Sequence, residues 1–130
     1  MPLLTGGCAC GAVRYSITAE PSFSFHCQCR QCQRATGTGH ASLFVMPKDS
    51  VSVDGDVKFY AQTADDGATV SRGFCPRCGS PVLGKTSGSP DVLLIAAASL
   101  DAPALFKPQK VVFSASGQPW DYVDPALPIA

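Results

Sequence analysis

The reactive side chains of this 130-residue chain are concentrated in its seven cysteines, which fall into two spacings that metals use. Cys8 and Cys10 form a CxC near the start, and Cys75 and Cys78 form a CxxC inside FCPRCGS. Two short arms this far apart in sequence can close one tetrahedral four-thiolate site, the closed geometry of structural zinc. If Cys8 and Cys10 are extended, residues two apart share a face and both sulfurs reach one ion. Gly11 and Gly79 directly follow the second cysteine of each arm, where glycine permits the positive φ of a tight knuckle and a close approach of N–H groups to thiolates. Pro76 fixes the entry of the second arm. A redox CxxC of the thioredoxin type needs a strand-to-helix context, which Gly79 and Pro81 oppose. Metal at such a site contributes on the order of 10 kcal/mol to folding, comparable to the whole stability of a small domain.

Cys27, Cys29 and Cys32 remain, packed into HCQCRQC. Three ligands from one short turn can hold an ion from one side and leave a fourth position to water or substrate, the arrangement in which zinc does chemistry. Other arrangements fit the same residues. His40, eight residues after Cys32, can fold back as a fourth ligand to close the site, or be an ordinary hydrogen-bonded histidine. His26 adjoins Cys27, and in an extended segment its ring points away from the face carrying Cys27 and Cys29. Without metal, a pair can oxidise to a disulfide. A zinc ribbon joining Cys29 and Cys32 to Cys75 and Cys78 is also spaced acceptably, but it strands Cys8, Cys10 and Cys27.

The elements that must position these sulfurs are short. The 12 glycines and 11 prolines punctuate the chain at close intervals. Between them, β-rich segments are predicted over Ala12–Thr18, Ala41–Met46, Val51–Val53, Val57–Ala61, Thr69–Phe74, Val92–Ala98 and Lys110–Ala115. One short helix is predicted near Cys29–Thr36, before Gly37. The pattern reads as an all-β fold of small twisted sheets around one core, with one short helix and a structural zinc site. No repeat or low-complexity linker divides residues 1–130, so one domain is expected, large enough to bury roughly two thirds of the surface of its unfolded form.

Lys plus Arg and Asp plus Glu number 10 each, giving a formal charge of zero, the wrong balance for gaining affinity by neutralising phosphates. No nucleic-acid partner is expected. The start, MPLLTGGCACG, lacks a basic stretch followed by an apolar run, and the longest apolar run, Val92–Ala98, falls far short of the roughly 20 residues a spanning helix needs. The expectation is a cytoplasmic protein with no membrane partner, in a reducing compartment where clustered thiols serve metals more often than disulfides.

Taken in order, GGCACGAVRY, HCQCRQCQRATGTG, FCPRCGSPV, AASLD, PQKVVF and QPW resemble the family of glutathione-dependent formaldehyde-activating enzymes, also called the centromere-protein-V/GFA domain. The resemblance runs from about Gly6 to Trp120. It implies an Mss4-like all-β fold with two zinc sites: a structural one at Cys8, Cys10, Cys75 and Cys78, and a more labile, catalytic one at Cys27, Cys29 and Cys32. The activity it implies is that of a carbon–sulfur lyase forming or cleaving S-(hydroxymethyl)glutathione from formaldehyde and glutathione. Three cysteinate ligands make a zinc a poor Lewis acid but a tolerable holder of a fourth thiolate, so positioning a substrate thiolate beside the aldehyde is the favoured role. Arg30 and Arg34 are candidates for binding the carboxylates of glutathione, with Gln31 and Gln33 beside them; as solvated charges on a short helix they would have no such role.

Two departures bear on the substrate. The chain is shorter than the family's named lyase, and Gln28 stands between the first two cysteines of the triplet, where the family pattern often has histidine. A fold and its metal ligands do not fix a reaction, so a non-catalytic zinc scaffold that binds a protein partner is the alternative expectation. Of the other residues, Trp120 reads as a core or lid anchor, Asp101 as a cap on a turn or strand end, and Phe23, Phe25 and Phe44 as core aromatics.

Overall fold

The computed structural model describes residues 2–130. In chain order the elements are β1 (Leu4–Gly7), β2 (Arg14–Ile17), β3 (Phe23–Cys27), α1 (Arg30–Thr36), β4 (Ala41–Pro47), β5 (Val51–Asp54), β6 (Lys58–Thr63), β7 (Thr69–Phe74), β8 (Pro81–Thr86), β9 (Val92–Ala96) and β10 (Lys110–Val112). β1, β2 and β5 make a three-stranded antiparallel sheet. The other strands make a seven-stranded sheet in the order β10-β3-β4-β9-β8-β7-β6, antiparallel except where β10 runs parallel to β3. The fold is all-β with one short helix, as expected. Its larger sheet exceeds the small sheets predicted, because β3 and β8, unassigned in the sequence, both join it.

Every predicted strand has a counterpart; Ala12–Thr18 narrows to Arg14–Ile17, and two others stop well short of their predicted C-terminal ends. The Val92–Ala98 segment stops pairing at Ala96 and tightens into a 3₁₀ turn over Ala97–Ser99. β10 stops at Val112 because Phe113 takes a positive φ of 57°, a left-handed conformation that cannot continue a strand.

The two-residue period of β4 divides the interior. Phe44 and Met46 point to one face and join Val13, Tyr15, Ile17, Val82, Leu83 and Ile95 in the main core between the sheets, with Cys8 and Cys75 embedded in it. Ala41 and Leu43 point to the other face and make a second cluster with Cys27, Cys32, Phe25, Cys29 and Val112. Register enforces this division, since Phe25 pairs with Leu43 and Cys27 with Ala41, while Val112 lies beside Cys27 across the parallel pair. A one-residue slip of β3 would turn Cys27 away from Cys32. Of the three aromatics expected in the core, Phe44 is fully buried, while Phe23 and Phe25 are half-buried and stacked at 5.2 Å.

Trp120 departs from the core placement: it is 67% exposed. The segment around it is held by its polar neighbours instead. Asp121 reaches inward, and its side chain is only 7% exposed. Asp101 does more than cap its own turn. Its carboxylate receives both Nη atoms of Arg14, at 2.9 and 2.5 Å, and the hydroxyl of Thr5 at 2.7 Å, pinning the β1–β2 hairpin to a distant loop. The Arg14 guanidinium, with Thr5 assisting, holds Asp101 down at about 2.

Candidate metal centre

Cys8, Cys10, Cys75 and Cys78 bring their sulfurs within 4.8 Å of one another. Cys10 Sγ is 3.7 Å from Cys8 Sγ and 3.8 Å from Cys75 Sγ. A tetrahedron with zinc–sulfur bonds of about 2.3 Å has edges of about 3.8 Å, so the donor set fits that ion. The CxC arm does not meet the condition of an extended segment. A turn closed by the Gly11 N–H on the Cys8 carbonyl, at 3.3 Å, folds the two sulfurs together. Gly11 and Gly79 have φ of 81° and 79°, the knuckle conformation anticipated from their positions. The N–H groups that reach sulfur come from elsewhere: Val13 donates to Cys8 at 3.2 Å and Arg77 to Cys75 at 3.4 Å. Ser80 joins the arms, its hydroxyl accepting from the Ala9 N–H at 3.1 Å and lying 3.2 Å from Cys78 Sγ. The Ser80 contact is the main reason the Cys78 thiol is lowered to about 5.

Cys27, Cys29 and Cys32 form the second group, again with sulfurs within 4.8 Å of one another. Cys27 is the last residue of β3. Cys29 is the N-cap of α1, its sulfur accepting from the Cys32 N–H at 3.3 Å, and Cys32 sits in the first turn. The helix ends at Gly37, whose N–H returns to the Gln33 carbonyl at 2.8 Å. Cys27 and Cys32 are buried, while Cys29 is half-buried and is the member of the group nearest to solvent. Hydrogen bonding from Cys27, then from Cys32, holds Cys29 down at about 2, while the contacts of Cys27 with Cys29 and then with Cys32 push Cys27 far above the ordinary thiol range. The ribbon pairing of Cys29 and Cys32 with Cys75 and Cys78 is not the one formed.

Neither histidine belongs to this group. The Nδ1–H of His40 donates to Asp121 at 2.9 Å, and Gln28 Nε2 donates to the same carboxylate at 3.1 Å. Burial works against the Asp121 charge, and the Gln28 and His40 bonds outweigh it, keeping the carboxyl below its usual range. Gly39 makes the contact possible, because a Cβ there would stand 2.1 Å from Asp121 Cγ. His26, on the β3 face opposite Cys27 as expected, meets Ser42 Oγ at 2.9 Å and the His40 ring at a centroid distance of 4.7 Å. Burial and then the neighbouring His40 lower its pKa.

Arg30 and Arg34 are both exposed on α1. Arg30 is engaged with Gln33 Oε1, and Arg34 occupies the last turn. Gln33 is buried, its Nε2 donating to the Gln28 carbonyl at 2.8 Å and the Ser116 carbonyl at 2.9 Å. The guanidinium against the sulfurs is Arg72, from β7, whose Nη2 lies 3.6 Å from Cys32 Sγ. Sequence reasoning passed over it, as it did Asp121. Arg72 is 40 residues from Cys32 and Asp121 is 81 from His40, and no motif spans either gap.

Two surface hollows, of about 330 and 450 Å³, are lined by no cysteine. Among the described residues no helix is long and apolar enough to cross a membrane.

The sequence profile of the family described as glutathione-dependent formaldehyde-activating enzyme matches residues 3–116. A Halomonas elongata protein, described provisionally as a glutathione-dependent formaldehyde-activating enzyme, is 30% identical over 127 residues, covering 94% of this chain and 80% of its own. A crystal structure of a Rhodobacter sphaeroides protein superposes with a TM-score of 0.60 at 19% identity, over 97% of this chain and 99% of that one, which is a likeness of fold.

Proposed function

Because the chain belongs to the glutathione-dependent formaldehyde-activating enzyme family, we propose that it is a zinc-dependent carbon–sulfur lyase. In this reading it forms or cleaves S-(hydroxymethyl)glutathione or a related thiol–aldehyde adduct. The observation that carries the reading is the contrast in donor number: four sulfurs in one group and three in the other, the latter with half-buried Cys29 as its least buried member. Cys8, Cys10, Cys75 and Cys78 would hold a structural zinc. Cys27, Cys29 and Cys32 would hold a second one with a position free for an incoming sulfur.

The bound ion would supply stabilisation of a thiolate at neutral pH. In the forward direction the thiolate sulfur bonds to the carbonyl carbon, the C=O π pair moves to oxygen, and a proton from solvent completes the hydroxymethyl group. Cleavage is the reverse. The chain's own contribution is placement: β3 and the capped start of α1 fix three sulfurs on one side, so an incoming sulfur approaches from the Cys29 side. Arg30 and Arg34, exposed on the same helix, would meet the carboxylates of glutathione.

The test is formaldehyde-dependent loss of free glutathione beside a zinc assay. The intact, fully metallated chain should exceed the spontaneous rate, and Cys29→Ser should remain folded while losing that excess. A metallated chain that leaves the spontaneous rate unchanged would favour the non-catalytic, partner-binding zinc scaffold.

A further inference from the structure

Arg72 sits in the middle of β7, half-buried, paired with Tyr60 of β6 on one side and Gly84 of β8 on the other. Two of its donors are engaged: Nη2 with Cys32 Sγ at 3.6 Å and Nη1 with Gln62 Oε1 at 3.2 Å. Gln62 is on β6, and the next residue, Thr63, accepts from Gln31 Nε2 of α1 at 3.0 Å. The β6–β7 hairpin is therefore fastened to the start of α1 at two points, with the guanidinium aimed at the buried sulfur of Cys32. Tyr60 is 63% exposed and Gly84 has no side chain, so neither supplies an acidic partner from the adjoining strands.

A partly desolvated guanidinium needs an anion, and the group in contact with this one is a sulfur, not a carboxylate. Charge counting gives the contact a purpose. Three thiolates around a divalent ion leave one net negative charge, and a fourth thiolate would make it two. A guanidinium at contact distance lowers each total by one, where partial burial makes the interaction stronger than in bulk water. Arginine suits this role because its planar fork fixes two bonds at once, here one to sulfur and one to Gln62, which a lysine ammonium would not orient.

We infer that Arg72 is a positioning residue of the three-cysteine group: it fixes the Cys32 sulfur and provides the positive charge that lets a bound ion accept a fourth, anionic sulfur. The inference rests on the metal reading of that group and assigns it a residue outside the cysteine motif. It also gives the site a preference for thiols that does not depend on substrate carboxylates.

Cobalt-loaded protein tests it without turnover. Second-site cobalt retention against a chelator is compared in the intact chain and in Arg72→Gln, followed by titration with 2-mercaptoethanol, which has no carboxylate, read from sulfur-to-cobalt absorption. Arg72→Gln should weaken second-site retention by about tenfold or more, the usual scale for a residue behind a metal ligand, and weaken mercaptoethanol binding, while first-site retention is unchanged. Unchanged second-site retention in Arg72→Gln overturns the inference. Should that variant not fold, Arg72→Lys decides: weaker second-site retention with the first site intact supports it, and retention equal to the intact chain overturns it. An intact chain that holds two cobalt ions but adds no mercaptoethanol contradicts the lyase proposal, and the retention comparison then decides for or against Arg72 as the residue that fixes Cys32.

Discussion

The two sulfur groups are built from the same side chain in opposite surroundings. The quartet joins arms 65 residues apart and sends Cys8 and Cys75 into the main core, so its geometry and the packing of Val13, Tyr15 and Val82 depend on each other. The triplet spans six residues, lies behind β4 in a small second cluster, and leaves Cys29 only half-buried. A site that closes a long loop and shares the core works as a fastening. A metal site assembled from one strand end and one helix cap would, on the proposed reading, be emptied, filled or opened without dismantling the sheets.

Substitution should separate the two. Cys75→Ser, at a fully buried position of the quartet, would remove a ligand of the proposed structural zinc, whose binding would contribute on the order of 10 kcal/mol, so the chain should not fold cooperatively; a normal thermal transition would break the comparison. At Cys29 the effect on stability should be much smaller and should depend on capping. Serine keeps an oxygen to accept the Cys32 N–H whereas alanine does not, so Cys29→Ala should be about 1 kcal/mol less stable than Cys29→Ser by denaturant titration. Equal stabilities would mean that the cap contributes nothing.

The sequence showed the sulfur partition plainly because each half is written in a short motif, CxC, CxxC or CxCxxC, whose spacing is itself the geometry. The short helix was equally legible, bracketed by Cys29 and Gly37. What escaped was spread across the chain. β3 is a clear alternation, Phe23-Ser24-Phe25-His26-Cys27, overlooked beside the cysteines it delivers. β8 begins at Pro81, tolerable at the first position of a strand but easily taken for the end of the knuckle. β1 is Leu-Thr-Gly-Gly, without the β-branched pattern that marks strands. The shared face of Cys8 and Cys10 was argued for an extended arm, and the Gly11 turn brings the sulfurs together by folding instead. Arg72 and Asp121 act through tertiary contacts that no local pattern encodes, and Trp120, read as an anchor, yields that role to its neighbour Asp121.

The smallest predicted effect lies apart from both groups, at the exposed Arg14–Asp101 pair. Asp101 titrates near 2 in the fold, below the roughly 3.9 of an unperturbed aspartate. Its contribution is therefore complete above about pH 4 and lost as pH falls toward 2. Thermal melts of Asp101→Asn should lack that acid-side slope. Because both side chains are nearly half-exposed, at 44% and 46%, the difference should be slight and should shrink with added salt. A large, salt-insensitive difference would contradict this.

The division of labour between the sulfur groups is tested most directly by counting zinc per chain, using native mass spectrometry, in the intact protein and in Cys29→Ser. The account predicts two ions in the first and one in the second, with the variant still folded. A Cys29→Ser chain that loses both ions, or that unfolds as Cys75→Ser does, would show that the two groups are not independent and would contradict it.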